Sequence, residues 1–363
     1  MRCILHIGTE KTGTTSLQHW LYENRSQLSA AGVFLSQHLS QPNNRVLPLY
    51  FQACPDHWTK ERGLNDRLRR REFLEPSLAA FRNEVRHAGA DHHTFLITSE
   101  HLHSRLDAQP TVDELHHLLE SLFSSITVVT YVRNQADAVL SSYSTALRGG
   151  GETRSLAEAA SAIGPEDHPF DHLQSAERWS SAFGRSALQF RIYDHCVDSP
   201  TGVIGDFAEH VLQLAALPME PRSLNKSLSP DRAAAYRQIN ARFPRWPKES
   251  PSGQVNRRLR RMLSDMPVKA ERVLTMANAP QFLGRFEERN QLFFDKYGDG
   301  TNYFAPDRWV SRSPSSAAGF DDEFDPDALI SSLLQQIELE PPAPVQAAKR
   351  SRFTRLKFWR KTT

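Results

Sequence analysis

The chain opens on an apolar run, Cys3–Ile4–Leu5–His6–Ile7, that stops at Gly8 and gives way to a segment rich in Gly and Thr. Beyond it Leu17, Trp20 and Leu21 recur at i, i+3 and i+4, a spacing that puts three side chains on one helical face. The opening unit therefore reads strand, loop, helix. Thr94–Phe95–Leu96–Ile97–Thr98 is expected to be a short buried strand, and the β-branched run from Ile126 to Val132 a second one. Between them Leu115, Leu118, Leu119, Leu122 and Phe123 form a helical stripe. Ala136, Val139, Leu140 and Tyr143 form the next, and Gly149–Gly150–Gly151 breaks the chain after it. Ala187 to Ile192 reads as another strand, with a helical stretch after Pro200, and 231–242, 255–264 and 280–297 read as helices. Residues 40–75, polar and interrupted by Pro42, Pro48 and Pro55, are expected to be irregular.

Strands alternating with helices predict an α/β fold with a central parallel sheet flanked by helices. Such sheets take ligands at the carboxyl ends of their strands. The loops after Ile7, Thr98 and Val132 would all open there. From Ser311 the character changes. Ser311–Arg312–Ser313–Pro314–Ser315–Ser316 is linker-like, and an acidic stretch follows (Asp321, Asp322, Glu323, Asp325, Asp327). The end is basic, from Lys349 to Lys361. The expected division is one α/β domain over 1–305 and a C-terminal extension over 306–363, within the reach of 363 residues.

Composition narrows the function classes. Net charge is only +2, so bulk electrostatics does not make the chain a polyanion binder, and no nucleic-acid reader motif is present. The three cysteines, Cys3, Cys54 and Cys196, form no CxxC pair, which argues against a zinc site or a disulfide framework and for a reducing compartment. The N-terminus lacks the apolar region of a signal peptide, and no apolar stretch approaches the roughly 20 residues that span a bilayer. A cytoplasmic protein is expected, or one peripheral at the inner membrane surface. In the tail, cations interleave with Phe353, Leu356, Phe358 and Trp359, which suits an anionic membrane. A disordered tail, or one paired with the acidic stretch, is the plainer alternative. Two arginine runs, Arg67, Arg69, Arg70, Arg71 and Arg257, Arg258, Arg260, Arg261, are either solvated helix faces or the lining of a cleft for an anionic glycan.

The chemistry concentrates in two places. Gly8–Thr9–Glu10–Lys11–Thr12–Gly13–Thr14–Thr15–Ser16 joins the first strand to the first helix, so backbone N–H groups and a helix N-terminus face one spot. The two glycines allow the turns, and the hydroxyls of Thr14, Thr15 and Ser16 add donors and help cap the helix. In a nucleotide triphosphatase the Lys follows the second Gly. Here Thr14 follows Gly13 and Lys11 precedes it, and no Asp-ended apolar strand offers a magnesium partner. ATP or GTP cleavage is disfavoured. The second place is the strand Val128–Val129–Thr130–Tyr131–Val132, which ends in Arg133. A guanidinium there can fork two donors onto a phosphate. Ser141, about 12 Å along the next helix at 1.5 Å per residue, lies on its polar flank with Asp137 and Thr145.

On these residues the chain resembles the sulfotransferases that use 3′-phosphoadenosine 5′-phosphosulfate (PAPS), and the bacterial members most. Their donor loop reads roughly P-K-[ST]-G-T-T after the first strand. Glu10–Lys11–Thr12–Gly13–Thr14–Thr15 follows it, with Glu10 in place of the Pro. Their second signature is a strand-ending Arg with a Ser eight residues later, matched by Arg133 and Ser141, although Asn134–Gln135 stands where Asn-Pro is usual. A weaker match is Phe190–Arg191–Ile192–Tyr193–Asp194, whose Tyr193 corresponds to a residue near the adenine. The resemblance covers about residues 1–300.

It implies a P-loop NTPase-like three-layer fold, with PAPS as co-substrate and no metal. A sulfuryl group would move to a hydroxyl or amine of an acceptor, such as a glycan or lipid-linked glycan. Lys11 would stabilise the bridging oxygen. Thr12, Gly13, Thr14, Thr15 and Ser16 would hold the 5′-phosphate, and Arg133 and Ser141 the 3′-phosphate. The acceptor's base would come from Ser99–Glu100–His101–Leu102–His103, with Glu100 first, His101 second and His103 third. The plainer readings are a helix-capping turn, a sheet-edge ion pair at Arg133, a surface serine and a half-buried tyrosine. The alternative functions are a P-loop kinase or NTPase and a catalytically inactive nucleotide-binding protein.

Overall fold

The computed structural model describes residues 1–197, 199–214, 228–266, 273–309 and 324–339. The linker, most of the acidic stretch and the basic tail lie outside the described residues. Five strands, β1 (Arg2–His6), β2 (Val33–Leu35), β3 (Thr94–Thr98), β4 (Ser125–Val132) and β5 (Leu188–Ile192), form one sheet in the order β2-β3-β1-β4-β5. Every pairing is parallel, and His6 ends level with Thr98 on one side and Val129 on the other. All five carboxyl ends therefore meet one edge, with β1 at its centre.

The sequence pattern explains the layering. β3 is buried throughout and β1 from Cys3 onward, so both faces of the sheet must be covered. Alternate residues point to opposite faces. Cys3, Leu5, Phe95, Ile97 and Val128 pack with Leu78, Phe81, Leu115 and Trp179. Ile4, Leu96, Val129 and Tyr131 pack with Leu17, Trp20, Leu21 and Phe207. The result is helices, sheet, helices, the α/β architecture expected.

Residues 40–75 differ from expectation. They hold helices at Val46–Phe51 and His57–Lys60 and the start of a 22-residue helix, Arg67–Ala88. Asp66 caps that helix, its carboxylate accepting the Arg69 N–H at 2.9 Å. Pro48 lies in the first turn of its short helix, where a missing N–H costs nothing. The arginine run is the first turn of the long helix, and its members differ in role. Arg70 is 0% exposed and donates to the carbonyls of Leu49 (2.8 Å) and Gln52 (2.6 Å). Arg67 and Arg71 converge on Glu114. Arg70 therefore holds the irregular segment before the helix in place and is closed to any ligand. The segment 280–297 is two helices, Ala279–Gly284 and Glu287–Tyr297.

The chain divides into two compact units: 1–144, 155–227 and 273–316 with the sheet, and 145–154, 228–272 and 317–363. The second contains helices Pro230–Arg242, Pro251–Asp265 and Pro326–Leu339, which bury Tyr236, Ile239, Leu259, Leu263, Ile330 and Leu333. Within it Asn240 Nδ2 donates to the carbonyls of Leu147 (3.0 Å) and Glu152 (2.9 Å). Arg260 is bound to Asn256 Oδ1 at 2.7 Å and to the Arg148 carbonyl, whereas Arg257 and Arg261 are exposed. Among the described residues no helix is long and apolar enough to cross a membrane.

Candidate active site

The loop leaving β1 is shaped by three residues of left-handed backbone, Gly8 (φ 82°), Lys11 (φ 70°) and Gly13 (φ 73°). A Cβ on Gly13 would stand 2.8 Å from Val203 Cγ1 and 3.2 Å from Tyr193 Cε2. On Gly8 it would stand 2.9 Å from the Cα and Cβ of Glu100. Both positions admit only glycine. Lys11 has no such freedom, and a non-glycine residue there costs about 1–3 kcal/mol, met by the bonds that fix the loop. Thr9 N and Thr9 Oγ1 donate to the Tyr131 carbonyl at 3.1 and 3.0 Å, and Thr12 Oγ1 donates to the Thr9 carbonyl at 2.7 Å. The Thr12 hydroxyl is thus part of the loop's own frame.

Helix Thr14–Glu23 begins with Gly13 as its N-cap and no side-chain cap. This corrects the expectation that the hydroxyls of Thr14, Thr15 and Ser16 help cap it: Thr14 is buried, Thr15 exposed and Ser16 half-buried. An N-terminus without a side-chain acceptor leaves its first N–H groups for an anion.

Arg133, at the end of β4, meets this loop. Its Nη1 donates to the Lys11 carbonyl at 3.1 Å, and its guanidinium lies 5.2 Å over the ring of Tyr193. Asp194 Oδ1 is 3.9 Å from Arg133 Nε, and Asp137 Oδ2 is 3.8 Å from Nη2. Asn134 holds the following turn, accepting the Asp137 N–H at 2.9 Å and giving its own N–H to Asp194 at 3.1 Å. Gln135, where the resembled family has Pro, instead exchanges amide bonds with buried Asn290 at 2.8 and 3.0 Å. Ser141 is half-buried on helix Gln135–Gly149.

The opposite flank of the loop holds the carboxylate. Ser99 N donates to the His6 carbonyl at 2.9 Å, and Glu100 opens helix Glu100–Arg105 beside Gly8. Gln18 Nε2 donates to Glu100 Oε2 at 2.7 Å, while Oε1 stands 3.8 Å from His101 Nε2. That nitrogen also faces Arg45 Nη1 at 3.3 Å, and Arg45 Nη2 donates to Asp56 Oδ2 at 2.6 Å. A guanidinium only donates. His101 Nε2 is therefore the acceptor, its lone pair is occupied, and the ring proton sits on Nδ1, which is buried with no hydrogen-bond partner among the described residues. Burial lowers the His101 pKa, against the attraction of Glu100. Burial alone would raise Asp56, but the Thr59 N–H and Arg45 outweigh it and hold that carboxyl below its ordinary value. Arg105 lies 3.8 Å from Glu10 and 3.9 Å from Asp56. His103 is 2% exposed and stacked on His168 at 5.2 Å, in the core rather than at the open edge.

Three buried histidines, His6, His103 and His172, and the half-buried His168 lie around these elements. His6 is bonded to Thr98 Oγ1 at 2.8 Å, and burial pulls its pKa down to about 3. His103, His168 and His172 are also lowered, by burial first; His168 and Arg178 add repulsion at His103, and Arg178 adds it at His168. His168 Nε2 donates to the His103 carbonyl at 2.8 Å, and His172 Nε2 to the Arg133 carbonyl at 2.9 Å. A folded-state pKa below the unfolded 6.5 means the unfolded chain binds more protons on acidification. The stability these four provide is complete above about pH 6.5 and is lost progressively below it, for His6 as pH falls toward about 3. Melting temperature should drop steadily from pH 7 to pH 5, and His103→Gln should flatten that slope; a pH-independent melting point would contradict this account.

Sequence pattern passes over three residues of this constellation: Gln18, Arg45 and Asp56. Gln18 alone left a signal. It shares the buried face of its helix with Thr14, Leu17 and Leu21, and an amide on an apolar stripe asks for a partner.

No known family model matches this chain, and no curated protein matches it. Among solved structures, a sulfotransferase from Alicyclobacillus acidocaldarius is similar at 15% identity and a TM-score of 0.40, over 73% of this chain and 96% of that one.

Proposed function

We propose that this protein transfers the sulfuryl group of PAPS to a hydroxyl or amine of a polar acceptor. One observation carries the reading. Arg133 at the end of β4 bonds to Lys11 in the loop after β1, under which Gly13 packs against Tyr193 from the end of β5. Groups suited to phosphates thus converge from three strand ends. The left-handed glycines bring the loop backbone close against Glu100, Val203 and Tyr193, and the loop leads into a helix start with no side-chain cap, an arrangement that suits a 5′-phosphate. Thr12, Gly13, Thr14, Thr15 and Ser16 supply its N–H and hydroxyl groups, Arg133 and Ser141 take the 3′-phosphate, and Tyr193 flanks the adenine.

Sulfuryl transfer depends mainly on positioning and charge stabilisation. The acceptor oxygen or nitrogen forms a bond to sulfur as the bond from sulfur to the 5′-phosphate oxygen breaks. Lys11 stabilises the charge on that oxygen. The acceptor's proton passes to Glu100, favoured over His101, whose Nε2 lone pair is engaged by Arg45, and over His103, which is in the core. Arg45, Arg105 and Glu10 set charge around His101, the neighbour of Glu100, and Asp56 pairs with Arg45, which suits a hydroxyl-rich acceptor such as a glycan or lipid-linked glycan over an apolar phenol. A kinase would need a lysine where Thr14 stands.

The test is calorimetric titration with 3′,5′-bisphosphoadenosine, AMP and ATP, with and without magnesium. The bisphosphate should bind at least ten times more tightly than AMP, with no need for magnesium. Preference for ATP with magnesium would return the loop to the kinases. Binding of the bisphosphate without consumption of PAPS, across acceptors, would favour the inactive nucleotide-binding protein.

A further inference from the structure

We infer that Gln18 is a positioning residue that fixes the Glu100 carboxylate to the donor-loop helix, so that the base and the sulfuryl donor are held by one rigid element. The inference rests on Glu100 being the base. Helix Thr14–Glu23 starts at the last residue of the donor loop, and one turn on Gln18 faces inward, 3% exposed. Burying a primary amide is unfavourable unless it is hydrogen-bonded. Its Nε2 finds Glu100 Oε2 at 2.7 Å. A carboxylate only accepts, which also sets the orientation of the amide.

The grip on Glu100 is double. Its backbone lies where a Cβ on Gly8 would stand 2.9 Å away, and its side chain is held by Gln18. Gly8 and Gln18 flank the donor loop at its two ends. Displacement of that loop would carry the carboxylate with it. The bond occupies one oxygen and leaves Oε1, facing a His101 nitrogen with no proton to give, to receive the acceptor's proton. Loss of Gln18 should therefore spoil the angle of proton transfer and spare the donor site, and a misplacement near 1 Å is worth about 100-fold.

Two variants test this. Gln18→Met keeps the volume and removes the donor; Gln18→Asn keeps the amide and withdraws it by one methylene. Each is made alone and with Glu100→Gln. Bisphosphate affinity is measured by calorimetry, and kcat and KM by release of bisphosphate from PAPS with a panel of amino-sugar oligosaccharides and simple phenols as acceptors. Both single variants should lose about 10–100-fold in kcat, with KM for PAPS and bisphosphate affinity within about twofold. In the Glu100→Gln background they should lose nothing further, because partners acting as a unit are not additive. Equal losses in both backgrounds, a parallel loss of nucleotide affinity, or unchanged kcat would each overturn the role. Full activity of Glu100→Gln alone would instead remove Glu100 as the base, a failure visible before Gln18 is touched.

Discussion

Glu100→Gln should lower the turnover of PAPS by about 10²–10⁴-fold, the usual contribution of a positioned general base. The substitution is nearly isosteric, keeps an acceptor for Gln18, and changes only the ability to take a proton. Bisphosphate affinity should therefore stay within about twofold, since Glu100 touches the loop through the space left by Gly8 and not through the groups proposed to hold the phosphate. His101→Gln should cost far less, because its Nε2 already accepts from Arg45. If the two variants behaved in reverse, the base would be His101 and the ordering proposed for this flank would be wrong. The measurement is single-turnover release of bisphosphate, with calorimetry on the same samples.

Arg133→Ala should weaken binding of 3′,5′-bisphosphoadenosine by about 30- to 4,000-fold, the range for removing one side of a hydrogen-bonded charge pair, 2–5 kcal/mol. AMP, which has no 3′-phosphate, supplies the control. Part of the loss comes from the Lys11 carbonyl, which loses its 3.1 Å bond and with it support for the strained loop. That part should weaken AMP as well, and the excess loss for the bisphosphate isolates the 3′-phosphate contact. Arg133→Lys should restore little, since an ammonium cannot reach the carbonyl and fork onto a phosphate together. Equal losses for both nucleotides would mean that Arg133 only shapes the loop.

The elements that carry the proposed donor side are legible in the sequence because their information is local. Thr94–Thr98 is a strand with the predicted limits, and Arg133 follows directly on β4 as the pattern requires. The loop between Gly8 and Gly13 is a contiguous string, so its residues announce their chemistry together. The acceptor side is different in kind. Gln18 and Glu100 are 82 residues apart and meet only because β1 and β3 pair with His6 level with Thr98. Arg45 and Asp56 belong to a stretch whose prolines suggested irregular chain. The helix Arg67–Ala88 escaped notice because charge crowds its first turn and Pro76 interrupts it, although Leu74, Leu78, Phe81 and Val85 carry its buried face. The capping role expected of Thr14, Thr15 and Ser16 failed for a simpler reason: Gly13 takes the cap position, and it has no side chain.

The strand order has a consequence for how such a protein can diversify. β1 sits at the middle, with β4 and β5 to one side and β3 and β2 to the other. On the proposed reading the ends of β4 and β5 serve the nucleotide, and the insertion between β2 and β3, with Arg45 and Asp56, serves the acceptor. The two specificities are thus written on opposite halves of the sheet, in segments that can be exchanged separately. Lineages could then trade the insertion for another and inherit a new acceptor with the old donor intact, in the way a tool changes its head and keeps its handle.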